Sequence, residues 1–225
     1  MSAEQPPISP LNQNAQEAVN NVPRIVLRAP SVHAGSHQAA SLPAPPMDWL
    51  CGTWTVTHST LPMWKSKRNV RITYTAVPAA AHSSNTQATD RLDDLVSYQS
   101  LSSTKVKTIH GIDKASGGAP AEGNAASWAW DWRGKGPLAI ASSHWEILGW
   151  SGAETDDPRK QWAVTYFAKT LFTPAGIDIY CRSSEGVSPE TLVELKDALD
   201  RIDDSEIKQL ASSMFEVTRD GARDE

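Results

Sequence analysis

Residues 48–75 read DWLCGTWTVTHSTLPMWKSKRNVRITYT, and the reading of this stretch decides the fold. Gly52-Thr53-Trp54 opens an alternation of Thr, Val and Trp with a period of two, the mark of a strand with one buried face. Leu61-Pro62-Met63 breaks the run, and a second β-rich run returns from Asn69. Lys65, Lys67, Arg68 and Arg71 lie around that turn, with no acid anywhere between Asp48 and Asp90.

Upstream the composition changes. Residues 1–46 hold eight of the 15 prolines and no Trp, Tyr or Phe. Such a segment buries too little apolar surface to offset its ordering entropy, so 1–46 is expected to be a disordered tail. Its one apolar cluster, 22–28, is expected to dock locally if any part does. Residues 47–217 suit a single domain, with 218–225 as a frayed end. There is no basic segment followed by a long apolar run at the start, and no membrane-length apolar stretch. A cytoplasmic chain is therefore expected, with Cys51 and Cys181 as free thiols. Net charge is −5, but the acids concentrate after residue 184. With an acidic balance and no nucleic-acid motif, no nucleic acid is expected as partner.

Downstream the β signals repeat. Runs rich in Val, Ile, Thr, Tyr and Trp fall at 53–59, 69–77, 92–101, 105–111, 127–133, 138–149, 161–170 and 176–182, separated by turn residues. Then the period lengthens. Ser188-Pro189-Glu190 is a helix start, followed by Leu192, Leu195, Leu199 and Ile202 at helical spacing. Asp203 with Glu206 reads as the opening of a second helix. Eight antiparallel strands closed on themselves leave no sheet edge, so the expected fold is all-β: a closed eight-stranded up-and-down barrel with C-terminal helices. A barrel of that size holds one small ligand.

Leu50-Cys51-Gly52-Thr53-Trp54, entering the first strand, resembles the start of the calycin superfamily, which includes lipocalins, fatty-acid-binding proteins and nitrobindin-like barrels. Residues 61–74 and 166–180 look like a fungal branch of it. The resemblance implies that Trp54 plugs the closed end and that Arg182, after the last strand, packs across it as a cation–π pair. A haem of the nitrobindin kind needs a late His. The last one is His144, so no haem is expected, nor any other cofactor. No metal is expected either, since no CxxC, HExxH or Cys/His cluster occurs.

With the Trp54 plug at the base, the turns after the first, third, fifth and seventh strands fall at the mouth. Those turns carry Trp64, Lys65, Arg133, Lys135 and Phe172. Alternation from Trp54 places His58 in the lumen near the mouth, where a neutral-range His is a candidate general acid–base. Tyr74 and Tyr166 are the other candidate catalytic groups. Candidate ligand contacts are Trp64, Lys65, Arg68 and Arg71 at the basic turn, and Trp128, Trp130 and Trp132 at i, i+2, i+4. His144, Trp162, Lys169, Phe172 and Tyr180 complete the set. The three indoles are either a stacking wall or a filled core, and the parity of His144 and Lys169 is open. Two functions follow. One is binding of an apolar or aromatic, anionic or phenolic small molecule, oriented by the basic turn. The other is a cofactor-free isomerase, cyclase, dehydratase or pericyclase of secondary metabolism in the same pocket. The ligand, the reaction and the oligomeric state are left open.

Overall fold

The computed structural model describes residues 25–33, 42–78, 91–116 and 125–223. A short helix, α1 (Met47–Leu50), leads into β1 (Gly52–Ser59). There follow β2 (Lys67–Ala76), β3 (Arg91–Ser100), β4 (Val106–Ala115), β5 (Ala129–Gly134), β6 (Ser142–Ser151), β7 (Trp162–Phe167) and β8 (Gly176–Cys181). Each strand pairs antiparallel with the next, and β8 returns to β1, so the barrel is closed. Two helices, α2 (Pro189–Arg201) and α3 (Ser205–Ser212), and a two-residue strand, β9 (Phe215–Glu216), complete the chain. No helix among the described residues is long and apolar enough to cross a membrane.

The expected strands are present with shifted ends. β4 runs on to Ala115, four residues past its expected end, and so takes Asp113 into the sheet. β6 starts at Ser142 because Gly136–Leu138 forms a 3-10 turn. Ser188 caps α2 as expected, accepting from the Thr191 N–H. The cap of α3 is Asp204 rather than Asp203, since its carboxylate accepts from the Ile207 N–H at 3.0 Å.

The closed end is built on the Gly-x-Trp. Gly52 has φ +95°, and a Cβ there would lie 3.2 Å from the Arg182 guanidinium. Arg182 Cζ sits 3.5 Å from the Trp54 ring centroid, and its N–H groups donate to the Thr53, Cys51 and Trp49 carbonyls. The Trp54 indole donates to Leu50 O, and Trp49 packs between Trp54 and Trp150. Cys51 and Cys181 are free thiols.

Two apolar cores follow from strand alternation. The inner one fills the barrel with Trp54, Val56, Ile72, Tyr74, Trp130, Trp145, Ile147 and Tyr180. The outer one joins the far faces of β7 and β8 (Trp162, Val164, Tyr166, Ile177, Ile179) to Leu195, Leu199 and Ile207 of the helices.

Part of the stretch read as a disordered tail packs against the barrel. Ile25, Leu27 and Ala29 lie on the outer core, and Leu27 occupies the space above Gly149 that any side chain there would fill. Arg28 donates to the Glu146 carboxylate at 2.7 Å and to Ile147 O, with both side chains buried. The Ser31 N–H and hydroxyl bind the same carboxylate. This charge pairing holds a segment whose apolar content alone suggests no order. Residues 1–24, 34–41 and the expected linker at 79–90 lie outside the described residues. The end read as frayed also returns: Arg219 donates to Thr57 O, and the Asp220 N–H to Asn69.

The closed-end plug sets a stability expectation. Trp54→Ala removes a fully buried indole and is expected to cost about 3–5 kcal/mol, read as a lower urea midpoint at unchanged slope.

Candidate functional site

A cavity of about 210 Å³ opens inside the barrel at the end opposite Trp54. Its rim is formed by Leu61, Met63 and Trp64, by Ala141 to Ser143, and by Thr170, Phe172 and Thr173. The first and last of these groups fall at turns expected at the mouth, 61–65 and 171–174, and the middle one lies just past the expected 134–137 turn. Its walls are Ile72, Tyr74, Val96, Ile109, Trp132, Trp145 and Phe167. Tyr74 stacks on Trp145 with centroids 5.4 Å apart, and Trp145 stacks in turn on Phe167 and Trp130.

The polar groups of the lumen are acids. Asp94 and Asp178 line the cavity, and Asp113 lies beside them in the barrel interior. Asp178 is fully buried, accepting from the Ser59 hydroxyl at 2.5 Å and the Trp64 indole at 3.3 Å. Asp113 accepts from the Trp145 indole at 2.8 Å. The Trp132 indole donates to Asp94. It reaches that point because Gly111, opposite Asp94 across the β3–β4 ladder, leaves room: a Cβ there would overlap the ring at 2.1 Å. One oxygen of Asp94 and one of Asp113 are buried with no hydrogen-bond partner among the described residues.

Burial drives the titration of these groups. It pushes Asp178 up to about 7 against the two bonds it accepts. It raises Asp94 and Asp113 as well, and the charge of Asp113 adds to the effect on Asp94. Burial likewise lifts the Tyr74 and Tyr180 phenols well above their usual range, each reinforced by a neighbouring acid. No Lys, Arg or His is among the residues that line the cavity.

The expected site residues divide accordingly. Trp64, Tyr74, Trp132 and Phe172 line the cavity; Trp130 and Tyr180 are in the inner core beneath it. The row of three indoles is broken, because Trp128 precedes β5 and lies under Arg28, whose Cζ is 5.3 Å from its ring.

The placement of His58 in the lumen needs correction. A bulge at Thr57 shifts the β1–β8 register, so Val56 faces Tyr180 inside while His58 pairs with Ile179 on the outer face. The bulge falls where β1 ceases to pair with β2 and takes up β9 instead. Burial there, with Arg219 adding to it, lowers the His58 pKa to about 4. Tyr166 and Trp162 are also on the outer face. Tyr166 meets His33 of the N-terminal segment, which in turn contacts Asp204 at 2.5 Å.

The basic turn does not reach the cavity. The Lys65 ammonium lies over Phe215, Arg68 pairs with Asp220, and Arg71 borders an outer cleft with Arg219 and Arg223. Alternation in β2 keeps Val70, Ile72 and Tyr74 inside and sends Arg71 out. Lys169 and His144 border a second outer cleft beside the mouth, with Asp131 and Ile140. His144 bonds Asp131 and Glu146, and these bonds raise its pKa, that from Glu146 most.

Sequence reasoning missed Asp94, Asp113 and Asp178 as site residues. The signal was present for Asp94, which falls in phase with Leu92 and Val96 on the apolar face of its strand. For Asp113 the strand was ended too soon.

Closed topology, the Gly-x-Trp plug and its late arginine give a closed eight-stranded barrel of lipocalin-like fold. No protein-family model matches the chain. Lobster apocrustacyanin A1 superimposes with a TM-score of 0.52 at 10% identity, over 89% of this chain and 94% of that one. The cockroach allergen Per a 4 gives 0.49 at 13%, over 80% and 92%. In sequence, the chain is 27% identical over 196 residues to Botcinic acid biosynthesis cluster B protein 12 of Botryotinia fuckeliana (strain B05.10), covering 84% of this chain and 82% of that protein.

The buried acids predict a pH dependence. A carboxyl whose folded pKa is raised binds its proton more tightly when folded, so its contribution is full in acid and fades as pH rises through about 7 for Asp178. Unfolding free energy measured in urea at about pH 5 and pH 8 is expected to fall across that interval. Asp178→Asn, which cannot ionise, is expected to flatten the fall; an unchanged slope would show that Asp178 is already charged when folded.

Proposed function

We propose that the barrel binds one small apolar or aromatic molecule in its lumen, with a polar group directed at Asp94 and Asp178. The observation that carries this is the cavity itself: aromatic walls around two buried acids, with no cation lining it. The size fits a compact ligand, since about 150 Å³ accommodates benzene, and 210 Å³ adds room for a short substituent. A longer molecule would extend through the mouth past Phe172. Phenolic ligands remain suited, because a phenol O–H can donate to either acid. Anionic ones do not, because Lys65, Arg68 and Arg71 are engaged elsewhere. The Botryotinia relative belongs to a botcinic acid biosynthesis cluster, which supports a natural-product intermediate as the occupant.

A cofactor-free isomerase or lyase is the second reading, and one observation favours it. Asp178, held near 7 beside the cavity, can lend or take a proton at neutral pH. The catalytic groups would then be Asp178, Asp94 and Tyr74, not His58 or Tyr166.

Native mass spectrometry of protein purified from its own host tests the binding reading. A retained small molecule is expected, released on denaturation. Trp132→Leu, which strips an indole from the wall, is expected to weaken its binding about tenfold. If nothing is retained and the intrinsic tryptophan fluorescence responds to no aromatic probe, the lumen is a filled core. Turnover of the retained molecule that disappears in Asp178→Asn while binding persists would establish the second reading.

A further inference from the structure

We propose that the lumen selects a cationic ligand, a protonated amine on an apolar or aromatic body, with Asp94 as its principal counter-charge. The inference rests on the lumen being a ligand site and specifies the charge of what it takes.

Three observations converge. First, Asp94, Asp113 and Asp178 share one barrel interior, and no cationic side chain lines the cavity they surround. Buried acids in proteins are ordinarily paired or hydrogen-bonded, and leaving one without a partner is destabilising. Secondly, the unmet atoms cluster. Asp94 is 7% exposed and lines the cavity, yet one of its oxygens has no partner among the described residues, and the same holds for one oxygen of Asp113. Thirdly, the walls are the faces and edges of Trp64, Tyr74, Trp132 and Trp145. An ammonium among indole and phenol rings gains cation–π attraction, strongest where water is excluded. It would also supply the donors that Asp94 lacks.

The chain's own cations do not serve this purpose. Lys65, Arg68 and Arg71 leave the barrel on its outer face or rim. Elsewhere the same chain matches buried acid with base closely: Glu146 receives Arg28, Ser31 and His144. The lumen acids have no such partner.

The titratable groups facing Asp94 are Asp113 from β4, Tyr74 from β2 and Tyr180 from β8, with Asp178 nearer the mouth; Asp93 adjoins it on its own strand. All of them hold protons more readily than their exposed counterparts except Asp93, which faces out toward Lys135 and His110. Binding an ammonium requires one acid to release its proton, so selectivity for the cation is expected to grow from mildly acidic to mildly basic pH.

The test uses three probes of one shape: 2-phenylethylamine, 2-phenylethanol and phenylacetate, titrated against the tryptophan fluorescence of the full chain. Near pH 8 the amine is expected to bind about tenfold more tightly than the alcohol, with phenylacetate weakest. Near pH 5 the amine-to-alcohol ratio is expected to approach about one. In Asp94→Asn the amine-to-alcohol ratio is expected to fall to about one near pH 8 as well. Asp178→Asn is the second variant, and the pH comparison on the unaltered chain stands even if Asp94→Asn fails to fold. Equal affinity for amine and alcohol near pH 8, or tightest binding of phenylacetate, would overturn the inference and leave the lumen-binding reading intact. A preference that survives in both Asn variants would also overturn it. If none of the three probes binds, both readings fall.

Discussion

The barrel depends on how it is shut at one end. Arg182 lies flat on the Trp54 indole and donates to three backbone carbonyls of the segment entering β1. One side chain thus ties the end of the last strand to the start of the first, across the seam where a sheet must meet itself to become a barrel. The pairing of an aromatic face with a largely desolvated guanidinium is worth about 0.5–2 kcal/mol by itself. Its larger effect is to satisfy carbonyls that the tight entry into β1 leaves unpaired. Gly52 makes this possible, since its left-handed backbone and missing Cβ let the guanidinium settle against the chain. The Gly-x-Trp spacing is therefore a geometric requirement of closure, and with the base sealed the cavity can open only at the other end.

That part of the fold was legible in the sequence because it is local and periodic. Alternation and turn residues mark eight strands, and Ser188-Pro189 marks the start of α2. What was not legible was set by contacts distant in the chain. His58 follows the alternation begun at Trp54, and only the bulge at Thr57 turns it out. The cause of that bulge, β9 displacing β2 beside β1, lies about 160 residues away in sequence. The docking of residues 25–33 was legible only in part: the apolar cluster 22–28 marked it, but its partners lie far along the chain. Composition predicts disorder correctly when a segment must rely on its own apolar surface, but here Arg28 finds a buried carboxylate on β6.

The basic turn illustrates a different limit. Four cations without an intervening acid suggest an anion site, yet charge density along a strand does not say which face carries it. Alternation alone puts Arg71 outside once Ile72 and Tyr74 are inside, and that choice was available from the sequence. Arg68 was settled instead by Asp220, in an end expected to fray, and Lys65 by Phe215 just before it. Lys65 and Arg68 serve the C-terminal segment, Lys67 lies over Tyr98, and the charged groups lining the lumen are acids.

Two side chains show why those acids carry functional weight. Glu146 and Asp178 are both fully buried carboxyls, and burial by itself raises the pKa of each. For Glu146 the bonds from His144 and Ser31 and the charge of Arg28 more than offset that effect and hold it at about 2. Asp178, with only a hydroxyl and an indole to donate to it, rises to about 7. Glu146 is thereby held as an anion while Asp178 titrates near neutrality, and the partners supplied to Glu146 contribute to the difference. On the outer face the chain invests four groups in one carboxylate, and the result is structural: it fastens the N-terminal segment to the wall. In the lumen it leaves carboxyls short of partners beside an open cavity walled with aromatic rings. A fold that can match buried acids with bases, and does so on one face of β6, has an unmet need on the other side of the wall. That need is what a ligand entering at the mouth would meet.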